Sequence, residues 1–136
     1  MILGMKKMTN KSAVYDTRFF VESYRTQDEA VRKKISAEKA RKRRYASAVV
    51  IHELYKIVIA TEGREVARNQ VAYLMQEFNV IPVDSQIAQV SAELRHKYNL
   101  SMGDSMIAAT ASVLKAVCIS DDPHFKQIKE IETTWI

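Results

Sequence analysis

The chain has 136 residues, 47% of them hydrophobic, with three Gly, two Pro and a formal net charge of +5. That length suits one globular domain with a sizeable core, and that hydrophobicity excludes a disordered chain. No apolar run approaches the roughly 20 residues needed to cross a bilayer, and a single cysteine, Cys118, excludes an internal disulfide and fits a reducing cytoplasm.

Residues 1–11 read as a flexible leader, with Met1, Met5 and Met8 as alternative starts and too short an apolar stretch for a secretory signal. One domain is expected over residues 12–136. Ser12 to Asp16 reads as a short buried strand that runs directly into apolar Phe19, Phe20 and Val21. Thr26 to Glu29 has capping-box spacing and is expected to open a helix running towards Lys42. Eight cations stand between Arg32 and Arg44. The ordinary reading is a solvated helix whose basic end suits the dipole, with Asp28 and Glu29 near its start. The functional reading is salt-sensitive attraction to phosphates, with Arg41, Lys42, Arg43 and Arg44 as nucleic-acid-binding candidates.

Tyr45 to Val49 reads as a second strand leading into a helix with Glu53, Leu54, Ile57 and Val58, which Gly63 ends. Helical spacing resumes through Val66, Val71, Leu74, Met75 and Phe78. Val80 to Val83 contains Pro82 and so reads as an edge strand, because Pro cannot donate to a central ladder. Asp84 caps a helix through Ile87, Val90, Leu94 and Tyr98, and Ser101 to Asp104 opens another whose Ile107–Ala111 stretch is small and apolar. Val117 to Ile119 supplies a strand in which Cys118 is buried, and Ile131 to Ile136 a last one. Strands alternating with helices predict an α/β fold, a three-layer α/β/α sandwich around a mainly parallel sheet.

Four acids stand where strand hands over to helix: Asp16, Glu53, Asp104 and Asp122. Each has a local explanation. Asp16 and Asp122 can cap the helices that follow, the latter with Pro123 at the first helical position. Glu53 can pair with Lys56, and Asp104 can belong to a capping arrangement with Ser101. Together they suggest more, since the carboxyl ends of parallel strands share one crevice. Carboxylates gathered without basic partners repel, and a hard cation such as Mg²⁺ relieves the repulsion. Other chemistries lack their signatures. His52, His96 and His124 do not have the close spacing of a zinc site, and there is no second cysteine to help. Neither a Gly-rich phosphate loop nor a nucleophile elbow occurs. Tyr15, Tyr24 and Tyr45 are read as packing residues rather than base-stacking ones.

The order Ala13-Val14-Tyr15-Asp16-Thr17, His52-Glu53-Leu54, Gly103-Asp104-Ser105-Met106-Ile107-Ala108-Ala109-Thr110-Ala111 and Ser120-Asp121-Asp122-Pro123-His124-Phe125 resembles the PIN domain family, and most of all its small prokaryotic VapC-type toxins. The resemblance runs from about Ser12 to the end of the sequence. It implies a parallel sheet between helices and a Mg²⁺- or Mn²⁺-dependent ribonuclease acting on RNA. It carries metal-site and catalytic roles onto Asp16, Glu53, Asp104 and Asp122, with Thr17, Ser120 and Asp121 as auxiliary residues. Ser120 stands where such proteins usually have Thr. Asp121 beside Asp122 leaves two carboxylates for one role, and the spacing to Phe125 favours Asp122. Arg18, Phe19 and Phe20 are bulkier than the commoner residues after the first acid. The resemblance also implies a small antitoxin partner and a homodimer or larger assembly. A structure-specific DNA nuclease, or a PIN-like module that binds RNA or protein without cutting, are the alternative readings.

Overall fold

Three consecutive residues with no exposed surface, Ala13, Val14 and Tyr15, form β1 at the centre of the sheet. A strand without a solvent face must be covered on both sides, so helices have to pack above and below it. The structure is a computed structural model and describes residues 11–136. Of the expected leader and its alternative starts Met1, Met5 and Met8, all but Lys11 lie outside the described residues.

After β1 come α1 (Thr17–Arg25), α2 (Glu29–Glu38), β2 (Arg44–Ser47), α3 (Ala48–Glu62), α4 (Arg64–Glu77) and β3 (Asn79–Ile81). The chain then forms α5 (Ser85–Tyr98), α6 (Met102–Leu114), β4 (Val117–Ile119), α7 (Pro123–Lys126) and β5 (Thr133–Thr134). The strand order is β3-β2-β1-β4-β5 and every pairing is parallel. Val14 pairs with Tyr45 on one side and with Cys118 on the other. The expected three-layer α/β/α sandwich is therefore present. Val80 and Ile81 lie on an edge strand, and β5 forms the opposite edge.

This order positions the site. The chain steps outward from β1 through β2 to β3, then crosses back to β4 on the other flank of β1. A crevice opens beyond the strand ends where the direction of stepping reverses. The small residues Ala108, Ala109 and Ala111 are buried and let α6 lie close against β1, β2 and β4.

Local signals explain most boundaries. Asp84 accepts a hydrogen bond from Ile87 N at 2.9 Å and caps α5, as expected. Ser47 ends β2 and caps α3 with its hydroxyl, so this helix starts one residue after β2 ends rather than beyond Val49. The expected capping box at Thr26 is corrected. Thr26 closes α1, and Asp28 caps α2 by accepting from Ala30 N at 2.8 Å. Aspartate is among the strongest caps, and here it lies nearer the first apolar positions. The helix then stops at Glu38, ahead of most of the basic run.

Candidate metal centre

Asp16 follows β1 directly, and its backbone N–H extends the ladder by donating to Ile119 O at 3.1 Å. One carboxylate oxygen accepts from Thr17 N at 2.7 Å and caps α1; the other accepts from the Ser120 hydroxyl at 2.7 Å. The local expectation for this residue, a cap on α1, is therefore met, and the same carboxylate lines the crevice. With 4% exposure, burial lifts its carboxyl to about 6, against the Ser120 and Thr17 hydrogen bonds and with added repulsion from Asp104 and Glu53.

Glu53 reaches the crevice from α3, where its Oε1 accepts from the Thr17 hydroxyl at 2.6 Å. Its anticipated surface partner Lys56 is replaced by this hydrogen bond. Asp104 stands in the first turn of α6, whose Ser101 cap accepts from Asp104 N at 3.2 Å. Burial raises the Asp104 carboxyl above the usual range, and Asp122 adds to the effect. Asp122 caps α7 by accepting from His124 N at 2.9 Å. Ser120 thus has two tasks, since its oxygen also accepts from Asp122 N at 3.0 Å. Loss of this hydroxyl would free one oxygen of the Asp16 carboxylate and the backbone N–H of Asp122 at once.

Asp16, Glu53, Asp104 and Asp122 line one cavity of about 400 Å³, walled by Val21, Ile57 and Trp135. Asp121 lies at its rim, where Arg18 pairs with it and holds its carboxyl below the ordinary value. A charge already neutralised in this way is the poorer cation ligand, so geometry favours Asp122 over its neighbour. A larger cavity of about 510 Å³, between Phe20, Tyr24, Tyr73, Phe78 and Arg44, contains none of these acids.

One residue beside two of these acids was passed over in the sequence. His124 follows Asp122 by two positions, and its Nδ1 lies 2.7 Å from Asp122 Oδ1. Ligand atoms of Asp104, Asp122 and His124 all fall within 4.8 Å of one another. The sequence signal was the Asp-Pro-His order itself, because a residue just inside a helix start turns back towards its cap. Histidine-to-histidine spacing was the wrong pattern to look for.

The PIN domain family model matches residues 13–131. The chain belongs to the PIN domain family. Among solved structures, VapBC2 of Rickettsia felis bound to a promoter DNA fragment has a TM-score of 0.78 at 15% identity, covering 91% of this chain and 98% of its own. DNA-bound VapBC of Salmonella typhimurium also scores 0.78, at 18% identity over 92% and 98% of the two chains. VapC20 of Mycobacterium tuberculosis, a toxin that cleaves the sarcin–ricin loop, scores 0.72 at 17% identity over 85% and 94%. Likeness at these identities establishes the PIN fold. No curated protein matches the chain in sequence.

The donor set of this PIN domain fits a hard divalent cation, because carboxylate oxygens supply the charge such an ion needs. The backbone leaves room for it. A Cβ on Gly103 would stand 2.8 Å from Glu53 Oε2, so glycine is what lets this carboxylate lie against the start of α6. Glu53 is flexible at its far end, so Gly103→Ala should swing it away from Thr17 without unfolding the protein. Metal titration by calorimetry should then show affinity weakened by about 10- to 100-fold with an unchanged circular dichroism spectrum. Wild-type affinity in that variant would show that Glu53 does not help to hold the ion.

The basic run divides in two. Arg41 is buried, not on the surface: its Nε donates to Glu38 Oε1 at 2.6 Å, and Glu38 also accepts from the Tyr15 hydroxyl at 2.9 Å. Arg44 is largely buried too, with its guanidinium carbon 5.3 Å from the centre of the Phe78 ring. Lys42 and Arg43 remain exposed. Tyr15 packs among Phe19, Phe20 and Phe78, as a core residue. Cys118 is fully buried, and burial raises its thiol far above the reactive range. No helix among the described residues is long and apolar enough to cross a membrane.

Proposed function

We propose that this PIN protein is a metal-dependent endoribonuclease and the toxin of a toxin–antitoxin pair. The observation that carries the reading is the convergence of Asp16, Glu53, Asp104 and Asp122 on one crevice in a chain of this family. Support for the toxin role comes from neighbours described as VapBC complexes, and for RNA from a neighbour described as cleaving the sarcin–ricin loop. A small antitoxin is accordingly the partner we expect.

In this mechanism Asp16 and Asp104 would hold a Mg²⁺ or Mn²⁺ ion directly, and Glu53 and Asp122 would hold its waters or a second ion. A divalent ion bound there would lower the pKa of its water and would offset the charge that builds on the phosphate. The remaining work is done by side chains. Ser120 fixes the rotamer of Asp16, Thr17 fixes that of Glu53, and Arg18 keeps Asp121 turned to the rim. Lys42 and Arg43 supply exposed charge that draws the RNA backbone towards the protein.

The purified chain is expected to cut single-stranded RNA with Mg²⁺ or Mn²⁺ present, to stop on addition of EDTA, and to lose activity in Asp104→Asn. Cleavage confined to branched DNA would replace RNA with a DNA substrate. RNA binding with no cutting under any divalent ion would make this a binding module. A short coding sequence for a DNA-binding protein directly upstream would favour the toxin–antitoxin assignment; its absence would favour RNA processing.

A further inference from the structure

Beside Asp104 and Asp122, two of the acids that line the crevice, stands an imidazole where carboxylates alone would suffice for Mg²⁺. The His124 side chain is 62% exposed, so it does not fill the core, and among the described residues its one polar contact is with Asp122. Two ligand atoms set at right angles about one ion, each about 2.1 Å from it, stand about 3 Å apart. His124 Nδ1 and Asp122 Oδ1, 2.7 Å apart, are near that separation already, and Asp104 offers the third atom within 4.8 Å. Asp122 keeps its orientation from a separate source, the backbone N–H of His124, which caps α7 whatever side chain follows.

We propose that His124 is a direct ligand of the ion held by Asp104 and Asp122, and that its imidazole tilts this centre towards Mn²⁺ over Mg²⁺. The inference rests on reading the crevice as a metal centre and adds a nitrogen to its oxygen ligands. The selectivity follows from ligand chemistry. Mg²⁺ takes oxygen and gives up its waters reluctantly, whereas Mn²⁺, although the weakest binder of the first-row series, is a transition ion that takes a nitrogen ligand more readily than Mg²⁺ does. A centre of two aspartates and one histidine therefore distinguishes two ions that four carboxylates would bind much alike.

The test uses the full chain stripped of metal with EDTA, and Mn²⁺ alone or Mg²⁺ alone as the probe. Pulsed EPR of the Mn²⁺ form should show coupling to a directly bound ¹⁴N, and His124→Ala should remove it. Calorimetry should show Mn²⁺ affinity falling by about tenfold in that variant while Mg²⁺ affinity stays within about twofold. Because the ring is exposed and the cap is backbone, His124→Ala should fold as the wild type does. Missing nitrogen coupling in the wild type overturns the proposal, and so does a parallel fall in both affinities, which would make His124 a group that merely orients Asp122. Asp104→Asn separates the two levels of the argument. If it lowers Mn²⁺ affinity while His124→Ala does not, the metal centre stands and the histidine ligand falls. If the wild type binds neither ion, the metal centre falls and takes the ligand with it.

Discussion

Asp16→Asn is expected to abolish metal-dependent RNA cleavage, a loss of about 10²- to 10³-fold or more, and to make the metal-free protein more stable at pH 8. The second half follows from burial. Asp16 is 4% exposed and its carboxyl is raised to about 6 in the fold. The folded state therefore binds more protons than the unfolded chain between about pH 4 and 6, and stability falls as pH rises through that window. Above it the ionised carboxylate costs roughly 3 kcal/mol, an order-of-magnitude figure from the distance between its ordinary value and about 6. Asparagine removes the charge but keeps an oxygen to accept from Thr17 N, so α1 stays capped. Thermal melts in EDTA should show the variant several degrees above the wild type at pH 8, with the gap closing towards pH 4. Excess Mn²⁺ should stabilise the wild type more than the variant. Ion affinity of the wild type should likewise weaken below about pH 6, as Asp16 takes up its proton. Retained cleavage, or equal stability of the two proteins at pH 8, would show that Asp16 is a cap and nothing more.

Arg41→Met is expected to destabilise the fold by about 3–5 kcal/mol, because it strips the cation from a buried pair and leaves Glu38 charged among apolar groups. The guanidinium is 5% exposed and the Glu38 side chain 9%. Among the described residues Glu38 would keep the Tyr15 hydroxyl alone, in a region crowded by Phe19, Phe20 and Phe78. Replacing Lys42 and Arg43 together by Gln should instead leave stability within about 0.5 kcal/mol. That double variant should weaken RNA binding and lower the slope of log affinity against log salt by about 2 or less. Urea denaturation and filter binding separate the two effects. An Arg41→Met protein that is as stable as the wild type but binds RNA poorly would return Arg41 to the nucleic-acid surface.

The two predictions mark where the sequence is informative and where it is not. Asp84, Ser101 and Asp122 could be placed as caps because a cap and the helix it opens are neighbours in the chain. Ala13 to Tyr15 and Val117 to Ile119 could be read as buried strands because their apolar runs are uninterrupted. The alternation of such strands with helices pointed to the sandwich, and the residues around the acids resembled the PIN family. Thr26 was misplaced because two residues compete for one helix start, and the spacing of a capping box cannot rank them.

Arg41 shows the deeper limit. In sequence it is one of four consecutive basic residues, and nothing local sets it apart from Lys42 or Arg43. It is buried because α2 ends at Glu38 and turns the chain back under the sheet towards β2, a route decided by which strand lies beside β1. His124 and Gly103 depend on convergence in the same way. One meets Asp104 only because β4 lies beside β1, and the other meets Glu53 only because α3 and α6 pack together. The sequence by itself determined the layered α/β architecture and most helix starts, and it named four acids as candidates, since periodicity, capping and motif spacing are properties of nearby residues. Tertiary structure alone decided which cations are buried, which carboxylate is neutralised by Arg18, and that an imidazole stands among the acids. These are properties of strand order, which brings together residues that no local energy connects.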